Sequence, residues 1–214
     1  MISKYRRAKE TLIDTLKKKG ISNTKILDAI FKIDRHLFIP DSALHSHAYE
    51  DKAFPIGVEQ TISQPYTVAF QTELLLVNKG DKILEIGTGS GYQAAVLVAL
   101  GADVYSIERQ KFLYEKTKLL LNSLGYSNIK MYYGDGFKGK KAFAPYDKII
   151  VTAAAPFVPT ELLSQLKVGG ILVIPVDNND GSQNMMRLTK TSETEFKKEI
   201  FDKFAFVPML KGTN

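Results

Sequence analysis

The chain of 214 residues contains no cysteine. That absence removes disulfides, thiolate metal sites and a cysteine nucleophile together, and it makes a cytoplasmic setting the default. No apolar run reaches the roughly 18 residues of a membrane-spanning helix, so no membrane partner is expected. The opening residues M-I-S-K-Y-R-R-A-K-E are charged and no apolar stretch follows them, so no secretory signal is expected either. Internal repeats and low-complexity segments are also missing. What remains is a length suited to one domain with a sizeable core. An apolar content of 44% points to a globular chain and not a disordered one.

The net charge of +6 raises nucleic acid or acidic substrates as partners. The lysines are scattered, however. The tightest run, Lys17-Lys18-Lys19 before Gly20, is where a helix C-terminus favours cations and a glycine stop.

Apolar periodicity predicts an amphipathic helix over residues 4 to 19, and another over 24 to 34 capped by Ser22 or Asn23. From Phe38 to Gln64 the pattern dissolves around Pro40, Pro55 and Gly57. A stretch this long without elements is functional or disordered, and its apolar residues (Phe38, Ile39, Leu44, Tyr49, Phe54, Ile56) favour a packed, functional one. An amphipathic helix over 65 to 77 then opens a regular alternation. Strands are expected at 82 to 86, 103 to 107, 128 to 132, 147 to 151 and 170 to 175. Helices are expected at 92 to 100, 110 to 124 and 159 to 166, and two further strands at 184 to 190 and 196 to 204. Alternation of this kind implies an α/β fold, a doubly wound, mostly parallel sheet covered on both faces. Ligands of such sheets sit beyond the carboxyl ends of the strands. The division expected is a single domain: residues 1 to 64 as helical extension and active-site loop, 65 to 214 as cofactor-binding core.

The sharpest motif is E-I-G-T-G-S-G, Glu85 to Gly91, between an apolar strand and a helix. Glycines allow a tight turn and close approach of a ligand. A dinucleotide turn needs a small residue at position 92, and this chain has Tyr92. Glu108 ends the second strand, about 20 residues on, where an acid can hold both ribose hydroxyls and would repel a 2′-phosphate. The third strand ends in G-D-G, placing Asp135 where it could accept from an adenine amino group. With no phosphate-cradling lysine, an adenosyl ligand without phosphates fits, and S-adenosylmethionine is one.

The motifs T-I-S-Q-P-Y, E-I-G-T-G-S-G-Y-Q, V-Y-S-I-E-R, G-D-G and P-Y-D-K-I-I-V-T-A-A-A together resemble the protein-L-isoaspartate O-methyltransferases. The likeness extends to R-H-L-F-I-P, A-Y-E-D-K-A-F-P-I-G and the late F-V-P, nearly the whole chain. The resemblance implies methyl transfer from S-adenosylmethionine to the α-carboxylate of isoaspartyl residues in damaged proteins and peptides. The ester then collapses to a succinimide that partly returns to aspartate. It also implies a Rossmann-like methyltransferase fold with an N-terminal helical extension. Residues Gly87, Thr88, Gly89, Ser90, Gly91, Arg109 and Gly136, with Glu85, Glu108 and Asp135, are expected around the cofactor. Thr61, Ile62 and Tyr66 are expected at its boundary with the substrate, under a loop from about Tyr49 to Gln64. A monomer without nucleic-acid, membrane or metal partners is expected. Ala205 stands where many relatives carry a basic residue, and the sequence after Pro208 departs from longer members.

Ser63 lies just outside a helix that starts at Pro65, where free amides and the dipole favour an anion. Position alone leaves it a cap or a ligand. The resemblance implies the active-site residue, donating one hydrogen bond to the non-attacking carboxylate oxygen without covalent attachment. Three rival signals are weaker. His45-x-His47 lacks a third metal ligand. The run Asp177 to Gly181 lacks the closing glutamate of a calcium loop, although Asp180-Gly181 is a plausible site of self-damage. An amino-methyltransferase of nucleic acid would need [D/N]-P-P-[Y/F] where this chain has V-T-A-A-A-P.

Overall fold

The computed structural model describes residues 4–178 and 180–214; Met1 to Ser3 of the charged opening run and Asn179 of the D-N-N-D-G run lie outside them. Helices α1 (Arg6–Lys18) and α2 (Thr24–Lys32) bury one apolar face each, Leu12 and Leu16 on the first and Ile26, Leu27 and Ile30 on the second. Lys17 and Lys18 do fall in the last turn of α1, and Gly20 follows with φ +97°. Of the two candidate caps, Asn23 fills the role: its side chain accepts from Lys25 N and Ile26 N.

The segment without periodicity is ordered. It holds short turns of 3-10 helix at Arg35–Phe38 and Ser42–His47, then a hairpin of β1 (Phe54–Gly57) and β2 (Gln60–Ile62). Strands of four and three residues are too short to show an alternation in sequence. The hairpin turns through Val58 and Glu59, both at positive φ (44° and 58°), where glycine or asparagine is usual.

Helix α3 (Pro65–Leu75) differs from the amphipathic helix expected. It is buried nearly all round, including Thr67, Gln71 and Thr72, because the N-terminal helices cover the side that would otherwise face water. Its sequence carries the signal of that: apolar residues do not segregate to one stripe.

The main sheet comprises β3 (Lys82–Ile86), β4 (Asp103–Glu108), β5 (Lys130–Tyr133), β6 (Tyr146–Val151), β7 (Leu166–Asp177), β8 (Gln183–Lys190) and β9 (Phe196–Phe204), in the order β5-β4-β3-β6-β7-β8-β9. The first five strands in that order are parallel, and β8 and β9 are antiparallel hairpin additions. Helices α4 (Tyr92–Ala99), α5 (Lys111–Ser123) and α6 (Thr160–Ser164) make the crossovers. The two faces are unequally covered. One packs on α1 to α5, the other on α6 and the aromatic loops around Phe137 and Phe143. The chain runs outward from β3 to β5 and returns to β6, so the strand order reverses between β3 and β6. A crevice at their carboxyl ends is the expected ligand position.

Candidate active site

The glycine turn leaves β3 at that switch point. Gly87, Gly89 and Gly91 all have positive φ (94°, 52° and 84°). A Cβ on Gly87 would lie 2.7 Å from Thr152 Oγ1, so the loop and the end of β6 can close only around a glycine. A Cβ on Gly91 would press on Leu121 and Thr117 at 3.0 Å. That glycine serves the packing of α4 on α5 and does not reach the cleft.

The turn is held by side chains as well as backbone. Thr117 Oγ1 donates to Gly89 O at 2.6 Å, and Thr88 Oγ1 meets Ser106 Oγ at 2.6 Å. Ser106 also donates a short bond to Glu85, its direct register partner across β3 and β4. Glu85 is fully buried, and burial raises its carboxyl to about 8, against the pull of Ser106 and reinforced by the Glu108 charge. Glu85 therefore sits beneath the turn and, unlike the other acid expected there, Glu108, is not among the residues lining the cleft. The alternation of strand side chains explains it: Leu84 and Ile86 face one side, Glu85 the other.

A cleft partly open to solvent lies at this switch point. Thr61, Ile62 and Ser63 form one wall. Gly87, Thr88, Gly89, Ser90, Glu108, Arg109 and Gly136 also line the cleft. Glu108 accepts from Gly89 N and Gln110 N, both at 2.9 Å, one on each carboxylate oxygen. Each oxygen keeps a second lone pair for a ligand hydroxyl. Asp135 is half-buried next to Gly136, which lines the cleft. Its two oxygens accept from Phe137 N (2.9 Å) and Gly212 N (3.0 Å), so it caps a short turn and ties down the segment after Pro208. Tyr66 lies off the cleft, on a neighbouring groove.

That second groove is lined by Lys19, Tyr66, Asp202, Lys203, Phe204, Ala205 and Phe206, among others. It shares Thr61, Ser63, Thr152 and Val207 with the first. Tyr66 and Phe204 stack at 6.1 Å with planes 17° apart. Beside the uncharged Ala205, Lys19 and Lys203 supply basic groups.

Ser63 is half-buried on the wall common to both spaces, and its hydroxyl has no hydrogen-bond partner among the described residues. Gln64 just after it is extended (φ −59°, ψ 145°), as Pro65 requires. The anion that the helix N-terminus favours is intramolecular: Asp51 Oδ1 accepts from Tyr66 N at 2.7 Å while Oδ2 pairs with Lys19 at 2.6 Å. Sequence reasoning passed over Asp51, and also Gln71, Gln93 and Thr152 in the cleft wall. The A-Y-E-D run quoted for the resemblance contained Asp51. Gln93 and Thr152 also fell inside quoted runs, E-I-G-T-G-S-G-Y-Q and P-Y-D-K-I-I-V-T-A-A-A, whereas nothing in sequence distinguished Gln71 from a surface residue. His45 bonds to the Ile39 carbonyl and His47 to Glu50.

A family model for protein-L-isoaspartate(D-aspartate) O-methyltransferase matches residues 6–214. A protein of Christiangramia forsetii named protein-L-isoaspartate O-methyltransferase is 59% identical over 206 residues, 96% of this chain and 95% of its own. Another of that name, from Flavobacterium psychrophilum, is 56% identical over 211 residues, 99% of this chain and 98% of its own. A solved protein-L-isoaspartate O-methyltransferase superimposes with TM-score 0.85 at 32% identity, over 94% of this chain and 65% of its own. A Plasmodium falciparum structure in complex with S-adenosyl-L-homocysteine shares the fold, with TM-score 0.82 at 23% identity, over 94% of this chain and 98% of its own. The sheet order, the glycine cradle at its switch point and the acid closing β4 define a Rossmann-like methyltransferase with an N-terminal helical extension. Within that class, the chain belongs to the protein-L-isoaspartate (D-aspartate) O-methyltransferase family.

Proposed function

We propose that Ser63 carries the positioning of the acceptor in this chain's reaction. The chain is an S-adenosylmethionine-dependent protein-L-isoaspartate O-methyltransferase, a protein repair enzyme. It methylates the α-carboxylate of isoaspartyl residues in damaged proteins and peptides, and the ester leads through a succinimide back to aspartate.

The cleft suits the cofactor. Gln93 is 7% exposed, and its Oε1 has no partner among the described residues, so a buried acceptor waits beside the glycine turn for a donor such as an ammonium. Glu108 offers lone pairs suited to ribose hydroxyls, and the glycine turn lines the same cleft. S-adenosylmethionine supplies an already activated methyl group on a sulfonium.

The work left to the chain is alignment. The acceptor carboxylate, with an ordinary pKa of about 4, is ionised at neutral pH and needs no base. Thr61 to Ser63 screen the junction from water, and the Ser63 hydroxyl donates to the oxygen that does not attack, fixing the other in line. The observation that carries this reading is that Ser63 stands on the one wall shared by the two spaces. The second groove then holds the peptide around the isoaspartyl residue. One chain supplies both walls, which supports action as a monomer.

The test is methyl transfer from labelled S-adenosylmethionine to paired peptides, one with isoaspartate and one with aspartate. Ester should form only on the first, and Ser63→Ala should lower kcat with cofactor affinity nearly unchanged. A covalent adduct trapped on Ser63, or full kcat in Ser63→Ala, would overturn its role.

A further inference from the structure

A single guanidinium ties Ser63 to the rest of the active-site segment. Arg35 follows α2 and is 1% exposed. Its Nη1 donates to the Ala48 carbonyl. Its Nη2 donates to Lys52 O at 2.9 Å and to Ser63 O at 3.1 Å. Phe54 of β1 and Tyr92 of α4 present their rings to it, at 5.4 and 5.8 Å from their centroids. No carboxylate pairs with it among the described residues, since Asp51, the nearest acid in the segment, is committed to Lys19 and to Tyr66 N.

This is a costly arrangement if its purpose is only to fill space. A buried cation without a directly paired carboxylate loses solvation that an apolar side chain of similar volume would not lose, and the nearby Asp51 charge offsets part of that loss. Burial lowers its pKa only to about 10, so it remains charged at neutral pH and keeps all five donors. The charge is used to gather carbonyls. Ala48 and Lys52 bracket Asp51, which caps α3, and Ser63 precedes the start of that helix by two residues. The planar fork thus clamps both ends of the segment that places the serine, while the ring of Tyr92 links it to the helix opened by the glycine turn.

We infer that Arg35 is a positioning residue for methyl transfer: by holding the carbonyl of Ser63 and the loop that carries Asp51, it fixes the direction of the serine hydroxyl. This rests on the assignment of Ser63 to the acceptor. It is independent of cofactor binding, because Arg35 does not line the cofactor cleft. A lysine could reach one or two of the carbonyls but cannot present a rigid fork to all of them.

The experiment is a cycle of four enzymes: wild type, Arg35→Lys, Ser63→Ala and the double variant, each with kcat for an isoaspartyl peptide and Kd for S-adenosylhomocysteine. Arg35→Lys should lower kcat by roughly 10- to 100-fold, the cost of an ångström-scale misplacement, with Kd within about twofold. In the Ser63→Ala background it should lower kcat by no more than about twofold, since residues acting as a unit are not additive. A purely structural arginine would lower kcat equally in both backgrounds, and that result would overturn the inference. Should Ser63→Ala itself leave kcat intact, the reading of Ser63 fails, and the inference fails with it. If Arg35→Lys does not fold, Phe54→Leu loosens the same guanidinium without removing a donor. It should show a smaller loss, about two- to fivefold, with the same dependence on Ser63, and an equal loss in Ser63→Ala would again overturn the inference.

Discussion

The Gly212 amide donates to Asp135 Oδ2 at 3.0 Å, joining the last residues of the sequence to the turn after β5. More bonds extend this latch. Arg109 Nε reaches Gly212 O at 3.2 Å, Asn214 N donates to Arg109 O at 2.9 Å, and Lys111 N donates to Asn214 O at 2.7 Å. Between the latch and β9, residues 207–210 line the cofactor cleft. The segment is therefore a strap whose end is fastened to the loop that bears Glu108.

One bond of that latch can be removed cleanly. Lys111 is the first residue of α5, where proline is well tolerated and lacks the N–H in question. Gln110 before it is already extended (φ −86°, ψ 111°), as a residue preceding proline must be. Lys111→Pro should release S-adenosylhomocysteine roughly fivefold faster in stopped-flow displacement, from the loss of about 1 kcal/mol. An unchanged release rate would mean that the strap does not hold the cofactor.

Glu85 gives stability a pH dependence whose sign is fixed by its burial. Its carboxyl is raised from an ordinary 4.5 to about 8. The folded state therefore binds a proton that the unfolded state releases between those values. The contribution is complete below about 4.5 and is lost as pH rises towards 8, and it levels off above. Glu85→Gln keeps the shape without the charge. Its denaturation midpoint should fall less than that of wild type between pH 6 and about 8.5. Parallel curves for the two proteins would show that the carboxyl is ionised throughout, answered by Ser106 alone.

The turn of the β1–β2 hairpin carries strain beside the active site. Val58 is β-branched and has φ 44°, a conformation that costs such a residue of order 1 kcal/mol or more. Val58→Asn should raise stability by about 0.5–1 kcal/mol, measured by urea denaturation, with the register from Phe54↔Ile62 retained. A loss of stability would mean that the valine side chain, 42% exposed, makes contacts that outweigh its backbone.

The contrast between these cases shows what the sequence made legible. The sheet core was readable because β3, β4 and β6 are buried apolar runs separated by helices long enough to show a period. Residues Gly87 to Ser90 were readable because the chemistry of close approach demands particular residue types. Asp135 and Glu85 were readable as acids near strand ends, but their partners within the fold were not. A donor from a distant segment, Gly212, bonds one oxygen of Asp135, and the pleat places Glu85 under the loop. Arg35 and Asp51 act through contacts 13 to 28 and 15 residues away respectively, which no local pattern encodes.

Asp180 brings the repair chemistry onto the enzyme itself. Succinimide formation needs the Gly181 nitrogen to attack the Asp180 carboxyl carbon, and attack on a carboxylic acid is far easier than on a carboxylate. In the folded chain Lys203 sits 2.6 Å from Asp180 Oδ2, and Ser182 donates to Oδ1 from both its hydroxyl and its amide. Lys203 first, and Ser182 second, hold the carboxyl well below its usual range, so it stays ionised. The Gly181 amide is meanwhile committed to Asn178 O at 3.2 Å. Both partners in the damage reaction are therefore restrained by the fold, although glycine at position 181 makes the sequence prone to it. Peptide mapping after ageing should find isoaspartate at position 180 in urea-unfolded protein and little in native protein. Lys203→Ala should raise the native rate by freeing the carboxylate without unfolding the sheet. Equal accumulation in native and unfolded samples would show that these hydrogen bonds give no protection.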